Sequence, residues 1–247
     1  MKKTLILLSI ITLISFYAKA QDEDPQEHVR SYLSLISGFS NPTGDFAKST
    51  YENYKAGFAK RGVTVGFESG IYFYKNLGIG VLFSFQDQGE LTIPNVQVLA
   101  NGYNKILKVN STLVQGVNRY HNLNFLAGPQ YSFKRGKFIL DLRVDAGIVK
   151  STSTPEITIF VSNTSNTQQN IIQHISKSSA FAYGGNAGLR WEFADGWDIG
   201  LRFNYVKSNG ISISTTGDTA ALQGTGRLVT TQPISEIQTT FGIGVHF

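Results

Sequence analysis

Along much of the chain, apolar residues occupy every second position and small or polar residues fill the gaps. Leu77, Ile79, Val81, Phe83 and Phe85 alternate with Gly78, Gly80, Ser84 and Gln86. Trp197, Ile199, Leu201, Phe203 and Tyr205 alternate with Asp198, Gly200, Arg202 and Asn204, and the chain ends with Phe241, Ile243, Val245 and Phe247 against Thr240, Gly242, Gly244 and His246. Period two belongs to β-strands, whose successive side chains point to opposite faces. Eight strands are predicted, at 31–40, 63–74, 77–86, 120–133, 137–149, 179–193, 196–206 and 234–247. No useful length of chain shows the 3.6-residue period of a helix, and no segment past the N-terminus is long and apolar enough for a transmembrane helix.

The connections alternate in length. Tight turns are predicted around Lys75 and Asn76, Arg135 and Gly136, and Asp195 and Gly196. Long polar connections cover 44–62, 86–119, 150–177 and 208–233. This layout predicts an all-β, eight-stranded antiparallel up-and-down barrel with both termini at the short-turn end. Within the long connections, 91–99 and 106–114 are predicted to extend a hairpin about Asn101 and Gly102, and Ile157, Ile159 and Val161 to pair towards 171–175.

A water-soluble barrel shows the same alternation with its apolar face inward, so the second phase decides the orientation. That phase carries Gly66, Gly70, Gly78, Gly80, Gly128, Gly147, Gly184, Gly188, Gly200, Gly242 and Gly244. Small residues suit a narrow, crowded lumen. Among them stand Glu68, Asp141, Arg143, Asp145, Arg190, Glu192, Asp198, Arg202 and Glu236, both signs together, which predicts a paired charge network enclosed in the lumen. Aromatic residues gather near strand ends, as membrane interfaces favour. Tyr72, Tyr74, Phe133, Phe138, Trp191 and Trp197 form the predicted girdle at the tight-turn end, and Tyr205, with Tyr120, Phe181 and Tyr183, marks the opposite rim. The apolar phase therefore faces lipid, and the barrel is predicted to be transmembrane.

Composition adds the compartment. Lys2, Lys3, an apolar run over 5–17 and the small residues Ala18 and Ala20 form a secretory signal peptide over 1–20, too short to span a bilayer. Residues 21–30 are then a short periplasmic segment and 31–247 the barrel domain. The absence of cysteine excludes disulfides, thiolate chemistry, Cys-ligated zinc and lipid anchoring through cysteine. Cleavage takes three of the 22 Lys and Arg against an unchanged 17 Asp and Glu, so the formal charge falls from +5 to +2. The remaining basic charge lies in the long loops rather than in one nucleic-acid-binding patch, and it suits an anionic lipopolysaccharide leaflet.

The terminal Phe241, Ile243, Val245 and Phe247 look like the C-terminal strand signal of outer-membrane barrels. The stretch Gly38, Phe39, Ser40, Asn41, Pro42, Thr43, Gly44, Asp45, Phe46 is similar to the opening of small eight-stranded barrels. Together these residues resemble the bacterial outer-membrane β-barrel domain families, porin-like or PorT-like, broadly of the OmpA and OmpX type. The resemblance implies an outer-membrane location with periplasmic termini, contact with membrane lipid and lipopolysaccharide, and insertion by the barrel-assembly machinery.

Candidate chemistry is sparse. His28, His121, His174 and His246 lack a metal-ligand spacing, and no Gly-x-Ser-x-Gly elbow or phosphate-binding glycine loop occurs. No metal, cofactor, nucleic acid or catalytic residue is predicted. Eight strands leave room for side chains rather than a wide pore. The expected role is non-catalytic, in envelope structure or in surface interaction through the long loops with an extracellular protein or glycan. A small diffusion channel is the alternative, followed by a lipid A-modifying enzyme with His121 at the outer rim.

Overall fold

The computed structural model describes residues 28–107, 112–162, 168–217 and 227–247; the predicted signal peptide at 1–20 lies outside them, as do residues 21–27 of the predicted periplasmic segment. The elements run β1 (Tyr32–Pro42), α1 (Gly44–Ala47), β2 (Gly62–Tyr74), β3 (Leu77–Glu90), α2 (Ile93–Leu107), β4 (Thr112–Val117), β5 (Arg119–Arg135) and β6 (Phe138–Ser153). They continue with β7 (Glu156–Ser162), β8 (Gln168–Gln173), β9 (Ser179–Ala194), β10 (Trp197–Ser208), β11 (Ile211–Ser212), β12 (Thr215–Thr216), β13 (Thr231–Gln232) and β14 (Ser235–His246).

Strands β1, β2, β3, β5, β6, β9, β10 and β14 form a closed barrel in which β14 returns to pair with β1. Closure runs antiparallel from Tyr32 opposite His246 to Pro42 opposite Glu236. This is the eight-stranded up-and-down barrel expected from the alternation. The turns joining β2 to β3, β5 to β6 and β9 to β10 lie at the same end as the start of β1 and the end of β14. Each is closed by a residue in the left-handed region, Lys75 (φ 48°), Gly136 (φ 58°) and Gly196 (φ 77°).

The wall is apolar outside and polar within. Leu35, Phe67, Ile79, Phe125, Val144, Leu189 and Phe241 are exposed on the outer face, while Ser34, Glu68, Arg143, Arg190, Arg202 and Thr240 are buried inside. A water-soluble barrel has the reverse arrangement, so the solvent of the outer face is lipid.

The long connections correct the sequence expectation. Residues 93–107 are an α-helix, not half of an extended hairpin about Asn101 and Gly102. Asn95, Leu99 and Tyr103, spaced by one helical turn, are its buried residues. Gly102 serves close packing rather than a turn: a Cβ there would lie 2.1 Å from the Tyr51 ring. The other expected pairing is present as the β7 and β8 hairpin, with Ile159 opposite Ile171. Strand β4 pairs with β7, and a small sheet in the order β12, β8, β7, β4 stands at the long-loop end.

Candidate functional site

Three arginines organise the lumen towards the tight-turn end. Arg190 on β9 donates to both oxygens of Asp141 on β6 (Nε 2.6 Å, Nη2 3.1 Å) and through Nη1 to Asp198 on β10 at 3.2 Å. Arg143 on β6 donates to Asp145 at 2.7 Å and to Glu68 on β2 at 3.2 Å, and Arg202 on β10 lies 3.4 Å from the other Glu68 oxygen. Tyr32 lies between them, its ring 3.8 Å from the Arg190 guanidinium carbon and 5.7 Å from that of Arg202. These charges are almost wholly buried. A charge held this way persists only when pairs and hydrogen bonds replace its water, and here three guanidinium groups face four carboxylates. Space for them comes from neighbours without side chains: at Gly80 a Cβ would lie 2.4 Å from the Arg143 side chain.

The remaining residues expected in that network stand apart. Glu192 pairs with Lys134 at 3.0 Å by the tight turns. Glu236 lies at the long-loop end, where its carboxylate accepts from Ser40 (2.6 Å), Gln88 (2.8 Å), Asn124 (2.9 Å) and Gln238 (2.9 Å) instead of pairing with an arginine.

Among the aromatic residues expected at the membrane interfaces, Tyr74, Phe133, Phe138, Trp191, Trp197 and Tyr205 are exposed on the outer wall. Tyr72 is not: it points into the lumen, accepts a hydrogen bond from Gln130 at 2.6 Å and donates to Asp141 at 3.2 Å. It shares the inward phase of Glu68 and Gly70, and the register shift between Tyr72 and Tyr74 turns only Tyr74 outward. Tyr120, expected on the opposite rim, is also buried. Phe241, Ile243, Val245 and Phe247 are exposed along one outer stripe.

Buried apolar residues gather at the long-loop end of the barrel. Phe46 of α1 is fully buried and meets Tyr120 edge to face at 5.0 Å. They form one cluster with Ile36, Leu82, Leu126, Val206, Ile211 and Ile234. The Tyr120 hydroxyl donates to the Gly57 carbonyl at 2.9 Å, tying the connection after α1 across the opening. Asp45 in α1 accepts from Lys48 at 2.8 Å and Asn53 at 2.9 Å, and these two bonds hold its carboxyl below the ordinary range.

Beyond the mouth stands a head with a separate hydrophobic core. Leu99 and Tyr103 of α2 pack with Val114 of β4, Ile159 of β7, Ile171 of β8 and the loop residues Tyr51, Ala56 and Phe58. Arg227 clamps that loop, donating to the carbonyls of Tyr51 and Asn53, each at 2.7 Å. Burial lowers the Arg227 pKa and pushes the Tyr103 hydroxyl up to about 12.

Among the described residues no three His, Asp or Glu side chains gather to hold a metal ion. His121 Nε2 lies 3.6 Å from Asp87 Oδ2, and among the described residues no Ser or Thr hydroxyl hydrogen-bonds its ring. His174 Nε2 is 2.8 Å from Thr216 Oγ1, but its Nδ1 is 3.8 Å from Glu156, beyond hydrogen-bond reach. His246 sits at the base of the lumen, where its Nε2 accepts from the Gly196 amide at 3.1 Å.

The sequence profile of the outer membrane protein beta-barrel domain matches residues 6–245. The chain belongs to that family. As a member of the outer-membrane barrel domain family it is an integral protein of the bacterial outer membrane, with lipid against its apolar wall. Solved barrels similar to it include Neisserial surface protein A, at 10% identity over 88% of this chain and 97% of that one, with a TM-score of 0.46. Ail, the attachment invasion locus protein of Yersinia pestis, matches at 14% identity over 89% and 99%, TM-score 0.41. The N-terminal barrel domain of Pseudomonas aeruginosa OprF matches at 12% identity over 90% and 100%, TM-score 0.34. None of the curated proteins matches the chain's sequence.

Proposed function

We propose that this outer-membrane barrel domain protein is non-catalytic and displays a rigid head outside the cell, serving envelope structure or contact with an extracellular protein or surface glycan. The observation that carries this reading is the second hydrophobic core at the long-loop end, above a barrel filled by side chains. Mobile loops would bury little apolar surface; α2 laid on a four-stranded sheet makes a defined binding face instead. The head faces outward because long loops mark the outer side of such barrels and tight turns the periplasmic side, which puts both termini in the periplasm. Removal of residues 1–20 on export and recognition of the stripe ending at Phe247 by the barrel-assembly machinery belong to the same reading.

Against a diffusion channel stand two barriers in series, the arginine network and the apolar mouth around Phe46 and Tyr120. Purified protein in a planar bilayer is expected to give no discrete conductance steps, and regular steps would make it a channel. Lipid A from producing cells is expected to keep its mass; a mass shift abolished by His121→Ala would make it an enzyme.

A further inference from the structure

At the long-loop end of the wall, the outward row of side chains changes from apolar to charged within one or two positions. On β3 the outward residues Phe83 and Phe85 give way to Asp87, and on β5 the row Phe125 and Leu123 gives way to His121 and Arg119. Arg61 stands immediately before β2, whose first outward residue is Val63. Lys150 on β6 and Lys207 on β10 continue this cationic row around the barrel.

Across the long-loop ends of β1, β2, β3 and β5 the row opens into a groove of about 470 Å³, lined by Phe39, Arg61, Val63, Asp87 and Arg119. Its floor is apolar and faces the membrane: Phe39 is 47% and Val63 56% exposed. Its sides are cationic. The Arg61 guanidinium lies over the Phe39 ring at 4.1 Å, and among the described residues no carboxylate comes within salt-bridge distance of it. Arg119 contacts Asp87 at 3.2 Å, which fixes one guanidinium nitrogen and leaves the other donors available. His121 lies 3.6 Å from the same carboxylate.

A cation held against lipid-facing apolar surface gives up part of its hydration, and an anion that arrives with its own hydrocarbon restores the balance. We propose that this groove seats the phosphorylated headgroup of an outer-leaflet glycolipid. Arg61 and Arg119 grip the phosphate oxygens, while Phe39 and Val63 lie under the first methylenes of the acyl chains. Arginine suits this task because its planar fork binds phosphate in two-point fashion and stacks on an aromatic face. Asp87 positions Arg119 and leaves the trio with an excess of one positive charge. The assignment rests on the outward orientation of the long loops proposed above.

Native mass spectrometry of the folded full-length protein tests it, with bis-phosphorylated lipid A, fully dephosphorylated lipid A and phosphatidylglycerol as probes. The bis-phosphorylated lipid is expected to be retained most strongly, and an equal concentration of inorganic phosphate to leave it in place. Arg61→Gln with Arg119→Gln is expected to lower its retention at least about tenfold. Lys75→Gln in a tight turn is expected to leave retention unchanged, and unaltered heat-dependent gel mobility certifies that each variant is folded. Equal retention by the double variant, equal binding of dephosphorylated lipid A, or displacement by inorganic phosphate overturns the proposal. Labelling of the head on intact cells reports orientation separately. An accessible head with no lipid retention refutes the groove alone, and an inaccessible head refutes the orientation beneath it.

Discussion

Arg190, fully buried in the lumen, joins β9 to two other strands by donating to Asp141 and Asp198. Its removal leaves two carboxylates with fewer donors, and breaking a buried pair of this kind costs about 3–5 kcal/mol. Arg190→Met is therefore expected to lower the unfolding free energy, read from urea titration of the heat-modifiable folded form, by that amount. Arg30→Ala, which breaks an exposed contact with Asp195, is expected to change it by less than about 1 kcal/mol. A smaller effect for Arg190→Met than for Arg30→Ala would remove the network from the barrel's stability. The charged residues were legible because alternation puts Glu68, Arg190 and Arg202 in the inward phase. Their pairing was not, because Arg143 meets Glu68 across 75 residues and register is invisible locally. Tyr72 was misread for a related reason: its aromatic character suggested an interface, while its phase and the adjoining bulge put it in the lumen.

At the level of elements, the eight strands were legible because their pattern needs only neighbours two positions apart. Helix α2 was not. Its buried side includes Asn95 and Tyr103, and Ile93, Val98 and Ile106 are exposed, so the apolar period was blurred at both faces. Gly102, read as a turn signal, is the contact point for the Tyr51 ring. Gly102→Leu is expected to unpack the head, giving early proteolysis between 92 and 117, with the barrel's heat-dependent mobility retained. Loss of both together would mean that head and barrel fold as one unit. Tyr103 gives the head an alkaline limit. Its hydroxyl ionises near 10 when unfolded and at about 12 in place, so its contribution is complete below pH 10 and is lost as pH rises towards 12. Proteolysis of the head is expected to accelerate between pH 9 and 11.5, and Tyr103→Phe is expected to flatten that dependence. A head equally resistant at both pH values would contradict the role of this burial.

For the whole molecule, the lumen carries two groups of buried side chains, salt-bridged arginines below and the apolar cluster around Phe46 above, and the head continues beyond them. Phe46→Ala deletes a fully buried ring and is expected to cost about 3–5 kcal/mol. Bilayer conductance is expected to stay closed even then, because the arginine network remains. Transmembrane placement was legible in the sequence from the inversion of polarity and the terminal apolar stripe; the packing of Phe46 against Tyr120 was not, since it depends on a loop residue folding back onto a strand. The central claim is that a folded head stands outside the cell on a filled barrel. Because the chain contains no cysteine, single cysteines report location without background. A membrane-impermeant maleimide applied to intact cells is expected to label Gln97→Cys on the exposed side of α2, and to label Lys75→Cys in a tight turn only after the outer membrane is permeabilised. Labelling of Lys75→Cys on intact cells, with Gln97→Cys protected, would contradict it.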